Sequence, residues 1–465
     1  MKSTQKLRGG QLLARALHEK KVKHVFTLAG GFCNPALEGF MDCQMPVINC
    51  PHEQIAGHLA DGHARITREP TVCLVGPEGF SNAIPAMMEA WGERSPVIFV
   101  TGSSTKKREG AGGFKEIDDV AIAAPLTKYS ISITDGTRIR EFVDRAWKIA
   151  TSGYPGPVHL SLPVDIMFAS FPENAASEER PFKSTPKPPA RAWPEPEQLN
   201  KVISAIKNAK NPIFIGGHGV WWSKNEKKLG LVGEKLGVPI FNIPYHQKLL
   251  NENCRAYMGL ADIHQYAPSK FAFHSSDCIV MVGCRLDNQM NFGNPPLIPA
   301  SANLICVNGS NEEIDFNRAA DELLFSDPGA FLDALLDNFN ITDWTIEKDW
   351  LSRNIQAREQ WINTTLMELD RETSQKNWSG GIIHPLRLSL EVQNTMKNGD
   401  WLVFDGGNTH FWSEIAVNIV SRKGRKFGGI LHPGSFSLLG VGVSFALSAK
   451  HTNPDKTVVL ISGDG

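Results

Sequence analysis

Along this chain the apolar positions fall into short runs that alternate between two spacings. Leu12, Leu13, Ala16 and Leu17 recur at helical intervals and predict a helix over 11–21. The strand Val25-Phe26-Thr27-Leu28 follows and ends in Ala29-Gly30-Gly31. A helix over 34–40 leads to the strand Pro46-Val47-Ile48, and Pro51 then marks the expected first turn of another helix. Ile55, Leu59, Gly62 and Ile66 give that helix one buried stripe, with Glu53 in or next to its first turn. Strands at 71–75, 97–100 and 158–162, with helices over 81–91 and 138–152, complete a first unit over 1–170. Strands alternating with helices at this pitch predict a parallel sheet covered on both faces.

The pattern breaks over 171–196, where Pro, Glu, Lys and Ser crowd together without apolar periodicity, as in an extended linker. It resumes in a second unit over 197–340, with a helix at 197–207 and strands at 212–216, 238–243, 278–282 and 303–307. A helical connector over 341–379 precedes a third unit over 380–465. There, helices over 385–396, 411–420 and 439–449 separate strands at 401–405 and 457–462. The last strand runs into Gly463-Asp464-Gly465, and such a strand needs a following helix to cover its sheet, so this unit is expected to be incomplete. The expected class is α/β, with three doubly wound parallel-sheet domains.

Composition narrows the partners. At 465 residues, with 42% hydrophobic and 21% charged residues, the chain has ample core for such domains. A net charge of −1 argues against a nucleic acid or a membrane surface as partner. No apolar run reaches the roughly 20 residues that span a bilayer, and the basic N-terminal stretch does not read as a secretory signal. The eight cysteines form no C-x-x-C pair and read as reduced core residues of a cytoplasmic protein.

Several chemical templates are missing. His52 and His58 are six residues apart, which does not place both rings on one helical face as a zincin requires. Neither a G-x-S-x-G elbow nor a Walker loop occurs. Gly216-Gly217-His218-Gly219 is half of a dinucleotide fingerprint, and an FAD or nucleotide site in the second unit rests on it alone. Two Gly-rich turns each follow a strand, Asp405-Gly406-Gly407-Asn408-Thr409 and Ser462-Gly463-Asp464-Gly465. Turn amides can cradle phosphate oxygens and a neighbouring Asp can hold Mg2+, so together they suggest a diphosphate site.

Taken in order, these stretches resemble the thiamine diphosphate-dependent enzymes of the acetolactate synthase and 2-hydroxyacyl-CoA lyase type, over essentially the whole chain. His52-Glu53-Gln54 followed by Ala60-Asp61-Gly62-His63-Ala64-Arg65 is similar to the family's H-E-Q…A-D-G-Y-A-R. Gly79 and Asn82 match the loop S-G-P-G-x-x-N, Gly113-Phe114-Lys115-Glu116 resembles A-F-Q-E, and Gly463-Asp464-Gly465 matches G-D-G. Gly219-Val220-Trp221-Trp222-Ser223, Arg285-Leu286-Asp287 and the run from Pro433 to Gly442 lean towards the lyase branch, whereas His52 leans towards the synthases.

The resemblance implies pyrimidine-binding, central and diphosphate-binding domains in that order. It implies thiamine diphosphate and Mg2+ as cofactors, with Glu53 as the acid that activates the cofactor through its pyrimidine ring. Gly79, Asn82, Gly407, Asn408, Thr409, Gly463, Asp464 and Gly465 would bind the cofactor, Leu439 would wedge its rings together, and Asp464 would ligate Mg2+. The substrate would be a small 2-oxo acid or an acyl-CoA, and the assembly a homodimer or homotetramer, with Ala56-Gly57, Ala60 and Ala64 facing the partner. Phe114 and Lys115 would face substrate; Lys115 stands where the family has Gln, a cation that could select an anion, and Glu78 adds a carboxylate to the Gly-rich loop. The incomplete third unit motivates a rival expectation, a fragment or noncatalytic homologue that only assembles with itself or a relative.

Overall fold

Six short strands lie side by side in parallel to form the first sheet. In chain order the first unit contains β1 (Lys6–Arg8), α1 (Gly9–Glu19), β2 (Val25–Thr27), α2 (Asn34–Asp42), β3 (Val47–Asn49), α3 (Glu53–Thr67), β4 (Thr71–Val75), α4 (Pro77–Gly92) and β5 (Val97–Ser103). It continues with α5 (Asp119–Ala123), β6 (Ser130–Ser132), α6 (Ile139–Thr151), β7 (Val158–Pro163), α7 (Val164–Phe168) and β8 (Ser170–Pro172). The sheet order is β3-β2-β4-β5-β7-β6, while β1 and β8 form a separate antiparallel pair. Central strands β4, β5 and β7 are buried along their whole length, which is why they read as continuous rather than alternating apolar runs. The computed structural model describes residues 6–173, 190–243, 254–261, 267–338, 344–374 and 383–463. It forms two compact units, Met1–Ala190 with Phe436–Asp455, and Arg191–Ser435 with Lys456–Gly465.

Helix α3 starts two residues later than Pro51 suggests. His52 is its N-cap, with Nδ1 accepting from the Gln54 N–H at 3.2 Å, and Glu53 occupies the first turn. Arg65 reaches back one turn to Asp61 with Nε–Oδ1 2.9 Å and Nη2–Oδ2 2.5 Å, and its Nη2 lies 3.2 Å from Glu89 of α4. The three side chains are almost completely buried. Burial pushes the Glu89 carboxyl up and outweighs the downward pull of the Arg65 guanidinium beside it. The network ties α3 to α4.

Small residues on α3 serve packing inside the unit. Ala56, Ala60 and Ala64 lie in a core cluster with Cys73, Val75 and Phe99, and a Cβ on Gly57 would sit 2.4 Å from Ala86 of α4. This face is internal and is not the outward dimer side expected from the pattern. The next flank is covered by the helix Gly442–Thr452, which crosses α3 at Gly62, where a Cβ would lie 2.9 Å from Ser448. Ser448 Oγ donates to the Leu59 carbonyl at 2.8 Å, and the Arg65 guanidinium lies 4.8 Å from the Phe445 ring. The helix begins three residues later than the periodicity predicts, because Gly440 has φ +83° and breaks the turn.

The second unit carries a six-stranded parallel sheet built from β9 (Pro212–Gly216), β10 (Ile240–Asn242), β11 (Tyr257–Leu260), β12 (Cys278–Val282), β13 (Asn303–Asn308) and β14 (Glu322–Phe325). Its order is β11-β10-β9-β12-β13-β14. Trp350 at the start of the helix Trp350–Ser374 is buried against it and donates Nε1–H to the Pro212 carbonyl at 2.8 Å. A three-stranded parallel sheet follows, β16-β15-β17, from β15 (Trp401–Phe404), β16 (Gly429–Leu431) and β17 (Val458–Ile461).

The glycines of Gly216–Gly219 serve close packing. The Gly217 N–H donates to the Val282 carbonyl at 3.0 Å and the Gly219 N–H to the Gly283 carbonyl at 2.8 Å. A Cβ on Gly217 would lie 2.3 Å from Cys284. Those two amides are engaged within the sheet edge and do not face an open phosphate cradle. All eight cysteines are free thiols, and burial pushes Cys33, Cys278 and Cys306 up to about 12, so they behave as core residues. Among the described residues no helix is long and apolar enough to cross a membrane.

Candidate active site

The C-terminal ends of the strands in an open parallel sheet are where ligands bind, and the first sheet places its chemistry there. Strand β3 ends at Asn49, whose Oδ1 accepts from the Ala29 N–H at 3.0 Å and joins the ends of β2 and β3. Four residues on, Glu53 is 7% exposed, a carboxyl at a helix start, where the dipole favours negative charge. The Gly-rich loop expected before α4 is in fact its first turn, with Pro at the start of the helix. That turn puts Gly79 and Asn82 three residues apart on one face. Asn82 Nδ2 donates to Glu53 Oε2 at 2.9 Å, and a Cβ on Gly79 would lie 2.5 Å from Glu53 Cγ. Both residues, assigned from the sequence to the cofactor, touch Glu53 itself.

The loop bearing Phe114 and Lys115 closes on the same helix start. Glu116 organises it by accepting from the Gly113 N–H at 2.6 Å and from the Gly110 N–H. Phe114 is exposed, with its ring 6.3 Å from that of Phe32. Lys115 is not the free cation expected: its Nζ lies 2.5 Å from Glu78 Oε1. Partial burial works to raise the Glu78 carboxyl, but the Lys115 hydrogen bond, a backbone N–H and the Lys115 charge together outweigh it and hold the group below its ordinary value. Glu78 is the residue here whose role sequence reasoning missed; its only signal was an acidic residue where the family's loop has none.

In the second unit the two Gly-rich turns come together at the ends of neighbouring strands β15 and β17. Gly407 takes φ +70°, a conformation that favours glycine, and starts the helix Asn408–Arg422. A Cβ on Gly463 would lie 3.3 Å from Thr409 Oγ1. Gly463 thus lies beside the N-terminus of the helix that Gly407, Asn408 and Thr409 begin. Asp464 and Gly465 lie outside the described residues. Leu439, in the first unit, is 59% exposed.

His410, Glu414 and His432 in the second unit, the two imidazoles buried and the carboxyl half-buried, have possible ligand atoms within 4.8 Å of one another, a cluster with no signal in the sequence. The Gly434 N–H donates to His432 Nδ1 at 3.1 Å, which places the neutral ring's proton on Nε2 and argues against metal ligation there. His432 stacks on Phe404 and packs on His410, a role in holding β15 to its helix.

Comparison with known proteins decides the family. Residues 7–122 match the thiamine pyrophosphate enzyme N-terminal TPP binding domain, and residues 199–335 match the thiamine pyrophosphate enzyme central domain. The chain belongs to the thiamine pyrophosphate enzymes. It is similar to a probable acetolactate synthase large subunit of Methanococcus aeolicus, 28% identical over 99% of this chain and 76% of that protein. It is also similar to 2-hydroxyacyl-CoA lyase 2 of Homo sapiens, 27% identical over 98% of this chain and 74% of that protein. An acetolactate synthase large subunit of Mycobacterium tuberculosis is 28% identical over 99% and 79%. This thiamine pyrophosphate enzyme therefore stands at low identity to both branches, as its mixed motifs imply.

Proposed function

We propose that this enzyme uses thiamine diphosphate and Mg2+ to make or break a carbon–carbon bond next to a carbonyl, as an acetolactate synthase-like or 2-hydroxyacyl-CoA lyase-like catalyst. The single observation that carries the proposal is Glu53, a carboxyl buried at the sheet's C-terminal edge with one oxygen held by Asn82. The fit to the cofactor rests on two further features. A cradle made of Gly407, Asn408, Thr409 and Gly463 at a helix start suits a diphosphate. The contact between Gly79 and Glu53 leaves no room for a side chain that would push the carboxyl aside.

When bound, thiamine diphosphate supplies a carbanion that attacks a carbonyl and an electron sink for the adduct. The protein's share is positional. Glu53 would hold a proton against the pyrimidine ring, Asn82 and Gly79 would fix its rotamer, and the helix amides would hold the phosphates. Asp464 is the proposed Mg2+ ligand, with Gly465 beside it in the cofactor turn. Leu439, exposed in this chain, is the proposed apolar wedge, and Phe114 and Lys115 the proposed substrate-facing residues. A small 2-oxo acid or an acyl-CoA is the proposed substrate. A homodimer is the proposed assembly, supported by Leu439, Val443 and Leu447, which are more than half exposed at four-residue intervals.

Titration of the protein with thiamine diphosphate and Mg2+, followed by calorimetry, should show saturable binding that chelation of the metal weakens. A screen with pyruvate, a 2-hydroxyacyl-CoA and oxalyl-CoA then assigns the reaction. No binding at millimolar cofactor overturns the proposal.

A further inference from the structure

Glu78 and Lys115 are two positions at which the loops around Glu53 depart from the family's pattern, and the fold brings them into contact. Glu78 stands one residue before Gly79, whose backbone lies against Glu53. Lys115 Nζ is 2.5 Å from Glu78 Oε1, 5.1 Å from the Phe114 ring and 5.6 Å from the Phe32 ring. Lys115 holds φ +59°, a backbone state that ordinary side chains adopt rarely and that the hydrogen bonds of Glu116 sustain around it. The ammonium is thus aimed at the first turn of α4 by the loop's own geometry.

We propose that Glu78 acts as a built-in anion that masks Lys115, so that the enzyme takes a carbonyl substrate bringing no carboxylate to this position: an aldehyde, a ketone or an acyl thioester. The inference rests on the reading of Glu53 as the cofactor-activating acid. A lone Lys115 would attract the carboxylate of a small 2-oxo acid. In this chain that carboxylate must displace one already attached to the protein, and an attached competitor acts at high effective concentration. Glu78 also sits in the first turn of α4, where the helix dipole favours its charge, and its Oε2 lies 3.1 Å from the Cβ position of Gly76. With the pair closed, the Lys115 charge is neutralised by Glu78 and two aromatic rings stand beside it.

The test compares the wild-type chain with Glu78→Gln and with Glu78→Gln/Lys115→Gln. Pyruvate carries the carboxylate; acetaldehyde lacks it. Binding of 13C-labelled pyruvate is followed by NMR line broadening without cofactor, and the KM values for pyruvate and acetaldehyde are measured with thiamine diphosphate and Mg2+. The expected result is pyruvate binding about fivefold tighter in Glu78→Gln, the scale of a partly exposed ion pair, with the pyruvate-to-acetaldehyde preference rising alike. Adding Lys115→Gln should abolish the gain. Equal pyruvate binding in wild type and Glu78→Gln, including none in either, overturns the mask, as does a gain that survives in the double variant. A chain that binds no thiamine diphosphate overturns the proposed function instead, while the cofactor-free comparison still decides the mask.

Discussion

Glu53 is held on two sides by different means, a hydrogen bond from Asn82 and the bare backbone of Gly79. The two can be separated. Gly79→Ala puts a methyl into the Glu53 side chain, so kcat should fall at least tenfold while the melting temperature moves by only a few degrees, measured by steady-state kinetics and calorimetry. Glu53→Gln keeps the shape and removes the acid; turnover should drop by at least a hundredfold with an unchanged circular dichroism spectrum. Retention of most activity in Glu53→Gln would remove Glu53 from the mechanism. Much at this scale was legible in advance. Glu53, Gly79 and Asn82 fall in short motifs whose spacing is local, so the sequence carries them together. The Glu78–Lys115 pair was not legible, because its members are far apart in the chain and meet only when the loop after β5 folds back over α4.

At the scale of elements, the position of α3 depends on close approach along its length. Gly62 lets the Gly442–Thr452 helix come near enough for Ser448 to bond the Leu59 carbonyl. Gly62→Val should therefore destabilise the protein by about 2–3 kcal/mol, read from urea unfolding. Ser448→Ala, which loses one buried hydrogen bond, should cost about 1 kcal/mol. The strands were the easiest elements to read, since β4, β9 and β12 have the bounds that their apolar runs predict. Helix starts were harder. Pro51 stays outside α3, and α4 absorbs the Gly-rich stretch as its first turn, since proline and glycine each suit both a loop and a helix start. Which helix covers α3 could not be read at all, because burial of a small-residue face says nothing about the partner.

For the whole molecule, pH acts on a cluster of imidazoles around the buried His63. His24, His63 and His451 meet where β2, α3 and the Gly442–Thr452 helix converge, with ring centroids 4.7 to 6.3 Å apart and Lys23 adjacent. Burial, then the neighbouring histidines, push His63 down to about 4 from an ordinary value of 6.5. A group whose folded value is depressed gives stability that is present above 6.5 and lost as pH falls towards 4. His63→Gln should therefore flatten the fall in melting temperature between pH 7 and pH 4.5 relative to wild type; parallel curves would show that this imidazole is not the one titrating. Groups away from this cluster, including Glu89 with its raised value, cancel in that comparison. At the same scale, Val443→Lys should shift the proposed dimer towards monomer in sedimentation velocity.

The helix Gly442–Thr452 belongs to the first unit, yet the strands on either side of it in the chain, β16 and β17, belong to the second. During synthesis this imposes an order. The first sheet and α3 leave the ribosome early, but the residues that cover Gly62 are made only after the whole central sheet. At ordinary translation speeds that is a delay on the order of tens of seconds. Through that interval a nascent chain carries α3 with one glycine-lined flank open, a foothold for a chaperone or for the same helix of a neighbouring chain.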